Sequence, residues 1–180
     1  EQYAKSAAAF DIVRDALANP EKYELSDKVH TTLLGSPRVT YTLIAESFLK
    51  AKRLEQAAEM FEKALPDKAS TPLLAYHLAR IEMANGRPAS ALEQLNEYLI
   101  AKQATAGVGP YELLAEVLSK LNEDEKVASE KLRARLNELQ KDDPANAYLS
   151  YFLANQLHEA GELDEAAALF EETIKAEPTI

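Results

Sequence analysis

The sequence predicts an all-α fold, a solenoid of stacked antiparallel helix pairs, and three observations carry that expectation. The 180 residues include only 5 glycines and 8 prolines, while alanine and leucine, which form helix readily, are abundant. An aliphatic–alanine step recurs as Ile44-Ala45, Leu78-Ala79, Leu114-Ala115 and Leu153-Ala154, with the alanines 34, 36 and 39 residues apart. Behind it, an alanine four residues ahead of a large apolar residue recurs as Ala57/Phe61, Ala91/Leu95, Ala128/Leu132 and Ala166/Phe170, at spacings of 34, 37 and 38. Two signals that keep one phase define a repeat.

Each unit reads as two amphipathic helices joined by a tight turn. Turn residues stand at Asn85-Gly86-Arg87, Asn122-Glu123-Asp124 and Ala160-Gly161-Glu162, where glycine or asparagine can take the left-handed conformation that ends a helix at low cost. Lys52-Arg53 fills the first turn without a glycine, which predicts strain there. Ser70-Thr71-Pro72 supplies a cap followed by proline at the helix start; Asp142-Asp143-Pro144 and Pro110 mark other starts, and Pro178 follows the last helix. Small residues at the crossings let two helices approach near the lower end of the usual 8–10 Å. Phe61 and Phe170 are then expected to fill the space between one pair and the next. A single pair cannot bury its apolar face, so stability comes from stacking.

These residues resemble the tetratricopeptide repeat family, whose pattern is an aliphatic and a small residue in the first helix, Ala-x3-Phe in the second, then proline. Residues 38–71 and 72–105 match at the family's length. Residues 147–180 match through Leu153-Ala154, Gly161, Ala166, Phe170 and Pro178. Residues 106–146 match more loosely, with a long second helix from about Asp124 to Lys141 and with Lys131 and Arg133 flanking Leu132. Tyr41 and Tyr111 stand where the family has tryptophan. Residues 1–37 fall outside the register, with a helix ending at Asn19-Pro20 and another, from about Ser26 to Leu34, ending at Gly35-Ser36-Pro37. They read either as a degenerate capping pair or, through Ala9, Val13 and Ala16, as the second helix of a further repeat. The resemblance implies a right-handed superhelix forming one continuous domain.

Other chemistry is poorly represented. Thirty acidic against 20 basic residues give a formal charge of -10, without the basic stripe that a nucleic-acid or anionic-membrane binder offers to phosphates. Absent cysteine removes disulfides, thiolate metal sites and thiol nucleophiles and leaves the compartment open. No apolar run approaches the roughly 18 residues of a membrane span. The chain starts at Glu1 with no signal-like stretch, which suggests a processed or trimmed piece of a larger protein. His30, His77 and His158 lack a metal-ligand spacing, and His158-Glu159 lacks the second histidine of a helical zinc site. Gly107-x-Gly109-Pro110 is short of a phosphate cradle, its proline removing an amide donor, and reads as a plain loop. The serines have no nucleophile-elbow context. Pairs such as Glu59–Lys63 are solvated helix faces, and Asn122-Glu123-Asp124-Glu125 complements a helix N-terminus. No enzyme, metal or cofactor is expected.

In the family the first helix of each pair lines the concave side. The resemblance, with three- and four-residue steps along a helix, then nominates Val39, Thr42, Glu46 and Leu49; Leu73, Tyr76, Arg80 and Met83; Glu112, Glu116 and Ser119; and Tyr148, Tyr151, Asn155 and His158. Tyrosine, arginine and methionine are common interface anchors. Arg80 could meet a carboxylate, and Asn155 a peptide backbone. Chaperone adaptors of the family clamp a C-terminal carboxylate with lysine and asparagine; here those slots hold Thr42 and Glu46, so a neutral or basic partner is favoured. The leading expectation is a protein-interaction scaffold that binds a peptide or protein on this face. A second is a spacer or oligomerisation module stacking through the last helix, with its Ala167, Leu169 and Ile174 and no polar cap before Ile180. A helper region of an enzyme is a third, and a helix-pair nucleic-acid reader is disfavoured by charge.

Overall fold

The computed structural model describes residues 2–178, so the chain end at Ile180, on which the stacking expectation partly drew, lies outside the described residues. The described residues form ten α-helices and no strand: α1 (Gln2–Ala18), α2 (Asp27–Leu33), α3 (Pro37–Lys50), α4 (Leu54–Ala64), α5 (Thr71–Ala84), α6 (Pro88–Ile100), α7 (Gly109–Leu121), α8 (Glu125–Asp142), α9 (Ala147–Glu159) and α10 (Leu163–Ala176). The chain divides into two compact units, Glu1–Gly86 and Arg87–Ile180.

In the first unit α3 and α4 form a tight hairpin, with α1 laid against α3 and α5 against α4. Its core joins Ala7 and Leu17 of α1 to Ile44, Ala45 and Phe48 of α3 and to Ala57, Met60 and Phe61 of α4. Ala45 and Ala57 are fully buried, as close helix crossing requires. Polar ties fix α1: Ser47 Oγ donates to Ser6 Oγ at 2.9 Å, Arg53 pairs with Asp11, and Arg14 lies 3.6 Å from Glu59. Of the stripe Ala9–Val13–Ala16, Ala9 is exposed while Val13 and Ala16 are half-buried, and Val13 packs against the core beside the buried Ala7 and Leu17.

The α3–α4 turn is a Schellman motif, with Lys52 N donating to Leu49 O at 2.9 Å and Arg53 N to Phe48 O at 2.8 Å. Lys52 sits at φ 58°, as the missing glycine predicted. Ser70, expected as a cap, makes no capping bond; a short 3₁₀ turn, Lys68–Ser70, runs directly into α5.

In the second unit α6, α7, α8 and α9 pack in succession, and α9 and α10 form a hairpin. Ala91, Ala128, Ala154 and Ala166 are buried, but Ala115 is only partly so. The long α8 matches its expectation, and Asp124 caps it, Oδ1 accepting from Lys126 N at 2.8 Å and Val127 N at 3.3 Å. Asn122 departs from expectation. Its backbone is extended, at φ -128°, and its side chain instead donates to Leu118 O at 2.6 Å. The cap of α9 is Asn146 rather than the preceding aspartates, its Oδ1 accepting from Leu149 N at 3.1 Å.

Candidate partner-binding face

In the first unit α3 and α5 bring Glu46, Tyr76 and Arg80 together. Both terminal nitrogens of Arg80 donate to the Glu46 carboxylate, the Nη2 bond measuring 2.8 Å. This two-pronged geometry is the strongest form of side-chain ion pair. Nη1 also lies 3.1 Å from His77 Nδ1, and the guanidinium is 5.7 Å from the centre of the Tyr76 ring. Burial opposes both charges, but their mutual bonds prevail: the Glu46 carboxyl is held below its ordinary value and Arg80 above it. Arg80 is therefore not an open receptor for a partner's carboxylate, and Glu46 is not an isolated acid. The reason is register: the two occupy one repeat position, 34 residues apart, a signal that could have disclosed the pair.

His77, read only as a lone histidine, is 8% exposed and lies face to face on Phe61 with ring centres 4.1 Å apart. Phe61 thus fills the space towards the next helix as expected. Burial, helped by the Arg80 charge, pushes the imidazole down to about 4, so it is neutral at pH 7 and its Nδ1 can accept from Arg80. Among the other residues nominated in this unit, Val39 is exposed, Thr42, Leu73 and Met83 are half-buried, and Leu49 is buried. Leu49 belongs to the core: it lies on the side of α3 that faces the hairpin.

In the second unit Glu112, Glu116 and Ser119 are exposed along α7. Tyr111 of α7 meets Phe152 of α9, ring centres 6.0 Å apart, which ties these two helices directly. Burial raises the Tyr111 phenol well above its usual range. On α9, Tyr148, Tyr151 and Asn155 are half-buried and His158 is exposed. The Tyr148 ring closes on the loop before α7, 3.8 Å from where a Cβ on Gly107 would stand. Tyr151 meets Phe170 edge-on at 5.8 Å, so Phe170 packs within its own hairpin instead of filling the space beyond it. Asn155 Nδ2 donates to Tyr151 O at 3.0 Å, which occupies one of the two amide donors expected for a peptide.

Among the described residues no group of three or more His, Asp or Glu could hold a metal ion, and no helix is long and apolar enough to cross a membrane.

The α3–α4 and α9–α10 hairpins closed over buried alanines, with aromatic and acidic residues on first-helix faces, define a helical-repeat protein. A tetratricopeptide repeat family profile matches residues 42–106 and 133–179, more than half of the chain, and the chain belongs to that family. Its repeats are generally protein–protein interaction modules and typically non-catalytic scaffolds. Among solved structures, the chain is 22% identical to MamA protein, covering 80% of this chain and 75% of that one at a TM-score of 0.42. It is 18% identical to nearly identical TPR-like repeats named for a Podospora anserina kinesin light chain, covering 99% and 97%, again at 0.42. No curated protein matches the chain.

Proposed function

We propose that this protein is an interaction scaffold that holds a neutral or basic protein segment against its first-helix faces, chiefly those of α7 and α9. The observation that carries the reading is the acidic step on α7. Glu112 and Glu116 stand one turn apart, both exposed, beside a helix that offers Tyr148 and Tyr151. Tyrosine supplies rigid contact area at small entropic cost, and exposed carboxylates steer a cationic segment. In the first unit the Glu46–Arg80 pair neutralises itself, so Tyr76 and Met83 there provide contact surface more than charge. The test is affinity capture with the wild type and a Glu112→Lys/Glu116→Lys variant, whose exposed positions leave the fold intact. Partners that bind the wild type are expected to be lost from the variant, and to elute as salt rises, because exposed charges are screened over about 8 Å at physiological ionic strength. Equal recovery by both baits would reject the reading.

A second reading, a stacking or spacer role through α10, is favoured by one comparison. Leu54, Ala57 and Phe61 of α4 with Leu65 at its C-cap have the same spacing as Leu163, Ala166, Phe170 and Ile174 of α10. Leu65 is 3% exposed, with α5 packed on its helix, whereas Ile174 is 60% exposed.

A further inference from the structure

A trough in the second unit, lying away from the residues assigned above, is built from three stripes with a four-residue step. Leu92, Asn96 and Ile100 come from α6, Leu114 and Leu118 from α7, and Lys131 and Arg135 from α8. A four-residue step aligns side chains along one side of a helix. Because α7 packs against both α6 and α8, its two leucines form the floor and are buried, while Ile100 stands on the wall 67% exposed. The hollow measures about 500 Å³. Ile100 and Arg135 also border a small adjoining hollow of about 80 Å³ that reaches Lys102, Leu139 and Asp142. The eight residue steps from Leu92 to Ile100 span about 12 Å of wall, more than two helical turns.

The charge on this trough runs against that of the chain, which is -10 overall. Lys131 Nζ donates to the neutral Asn122 Oδ1 at 2.5 Å. Arg135 is steadied by Asn96 Oδ1 at 3.3 Å and paired with Glu138 at 3.1 Å, but Glu138 is 64% exposed and such a pair is weak in water. Lys102 Nζ donates to the backbone oxygen of Asp142 at 2.7 Å. A large exposed aliphatic beside two cations at helical spacing matches the chemistry of an acidic amphipathic helix: its apolar ridge fits between helices as ridges fit grooves, and its carboxylates gain charge-assisted bonds.

We propose that the trough between α6 and α8 docks an acidic amphipathic helix of a partner protein, aliphatic residues lying against Leu92 and Ile100 above the buried Leu114 and Leu118, and carboxylates on Lys131 and Arg135. The surface is separate from the α7–α9 face, so one protein can hold a basic segment on one side and an acidic helix on another.

Fluorescence anisotropy on the full chain tests this with two synthetic helical peptides that share one leucine ridge, one flanked by glutamates and the other by lysines. The acidic peptide is expected to bind at least about tenfold more tightly than the basic one, and Ile100→Asp or Lys131→Glu to weaken it by about tenfold each. Both positions are exposed, and circular dichroism verifies the fold; Lys131→Ala serves as a milder second variant. Glu112→Lys/Glu116→Lys should leave this binding unchanged, so the two surfaces fail separately. The proposal is overturned if neither peptide binds, if the basic peptide binds as well, or if Ile100→Asp has no effect. It is also overturned if Ile100→Asp dissolves a self-associated form of the protein, which would make a second copy the occupant.

Discussion

His77 shows how a single side chain links packing to pH. Its ring is buried against Phe61, and burial followed by the Arg80 charge lowers it from an ordinary 6.5 to about 4. The unfolded chain therefore takes up this proton first on acidification. Its contribution to stability is complete above pH 6.5 and is lost as pH falls from 6.5 towards 4, a change of about 2–3 kcal/mol. The depressed Glu46 carboxyl acts in the same direction at lower pH: its contribution is present above the ordinary carboxylate value and lost as pH falls through the folded one. Replacing His77→Phe keeps an aromatic ring on Phe61 and removes the titration. Urea unfolding followed between pH 7 and 4 should then show a flatter stability profile than the wild type; an unchanged slope would contradict the assignment. Little of this was legible in the sequence. An isolated histidine carries no periodic signal of its burial, and Glu46 and Arg80, nominated separately for a partner, turned out to satisfy each other.

At the scale of elements the sequence was far more legible, because helix pairs are written in spacing. The alanine and Ala-x3-large signals located the α3–α4 and α9–α10 hairpins, and the proline and aspartate caps placed the starts of α5, α7 and α8 within a few residues. The failures were local choices among competing hydrogen-bond partners. Asn122 spent its side chain on Leu118 O instead of adopting a left-handed turn, and Asn146 displaced two aspartates as the cap of α9. Lys52 closes a Schellman motif that Gly161 closes at φ 82° elsewhere, at the steric cost an L-residue bears in that region. The α10 stripe belongs to this scale as well. Spacing alone could not distinguish a covered stripe from an open one, yet Leu163 and Ile174 are 58% and 60% exposed. A stacking role requires concentration-dependent association in sedimentation experiments, abolished by Ile174→Glu; a monomer at every concentration would eliminate it.

For the whole molecule, the family membership establishes a repeat scaffold and the distribution of charge supports what it holds. Net negative charge generally steers association with cationic surfaces, and the proposed reading rests on that tendency. The face proposed for such a partner combines residues nominated by the family resemblance and helical spacing, Glu112, Glu116, Tyr148 and Tyr151, with the Tyr111–Phe152 contact between α7 and α9, which neither of them signals. Hydrogen–deuterium exchange of the full chain, alone and with a captured partner, tests the central claim most directly. Slower exchange concentrated in Gly109–Leu121 and Ala147–Glu159 is the expected result. Protection confined to other helices, with those two unchanged, would contradict it.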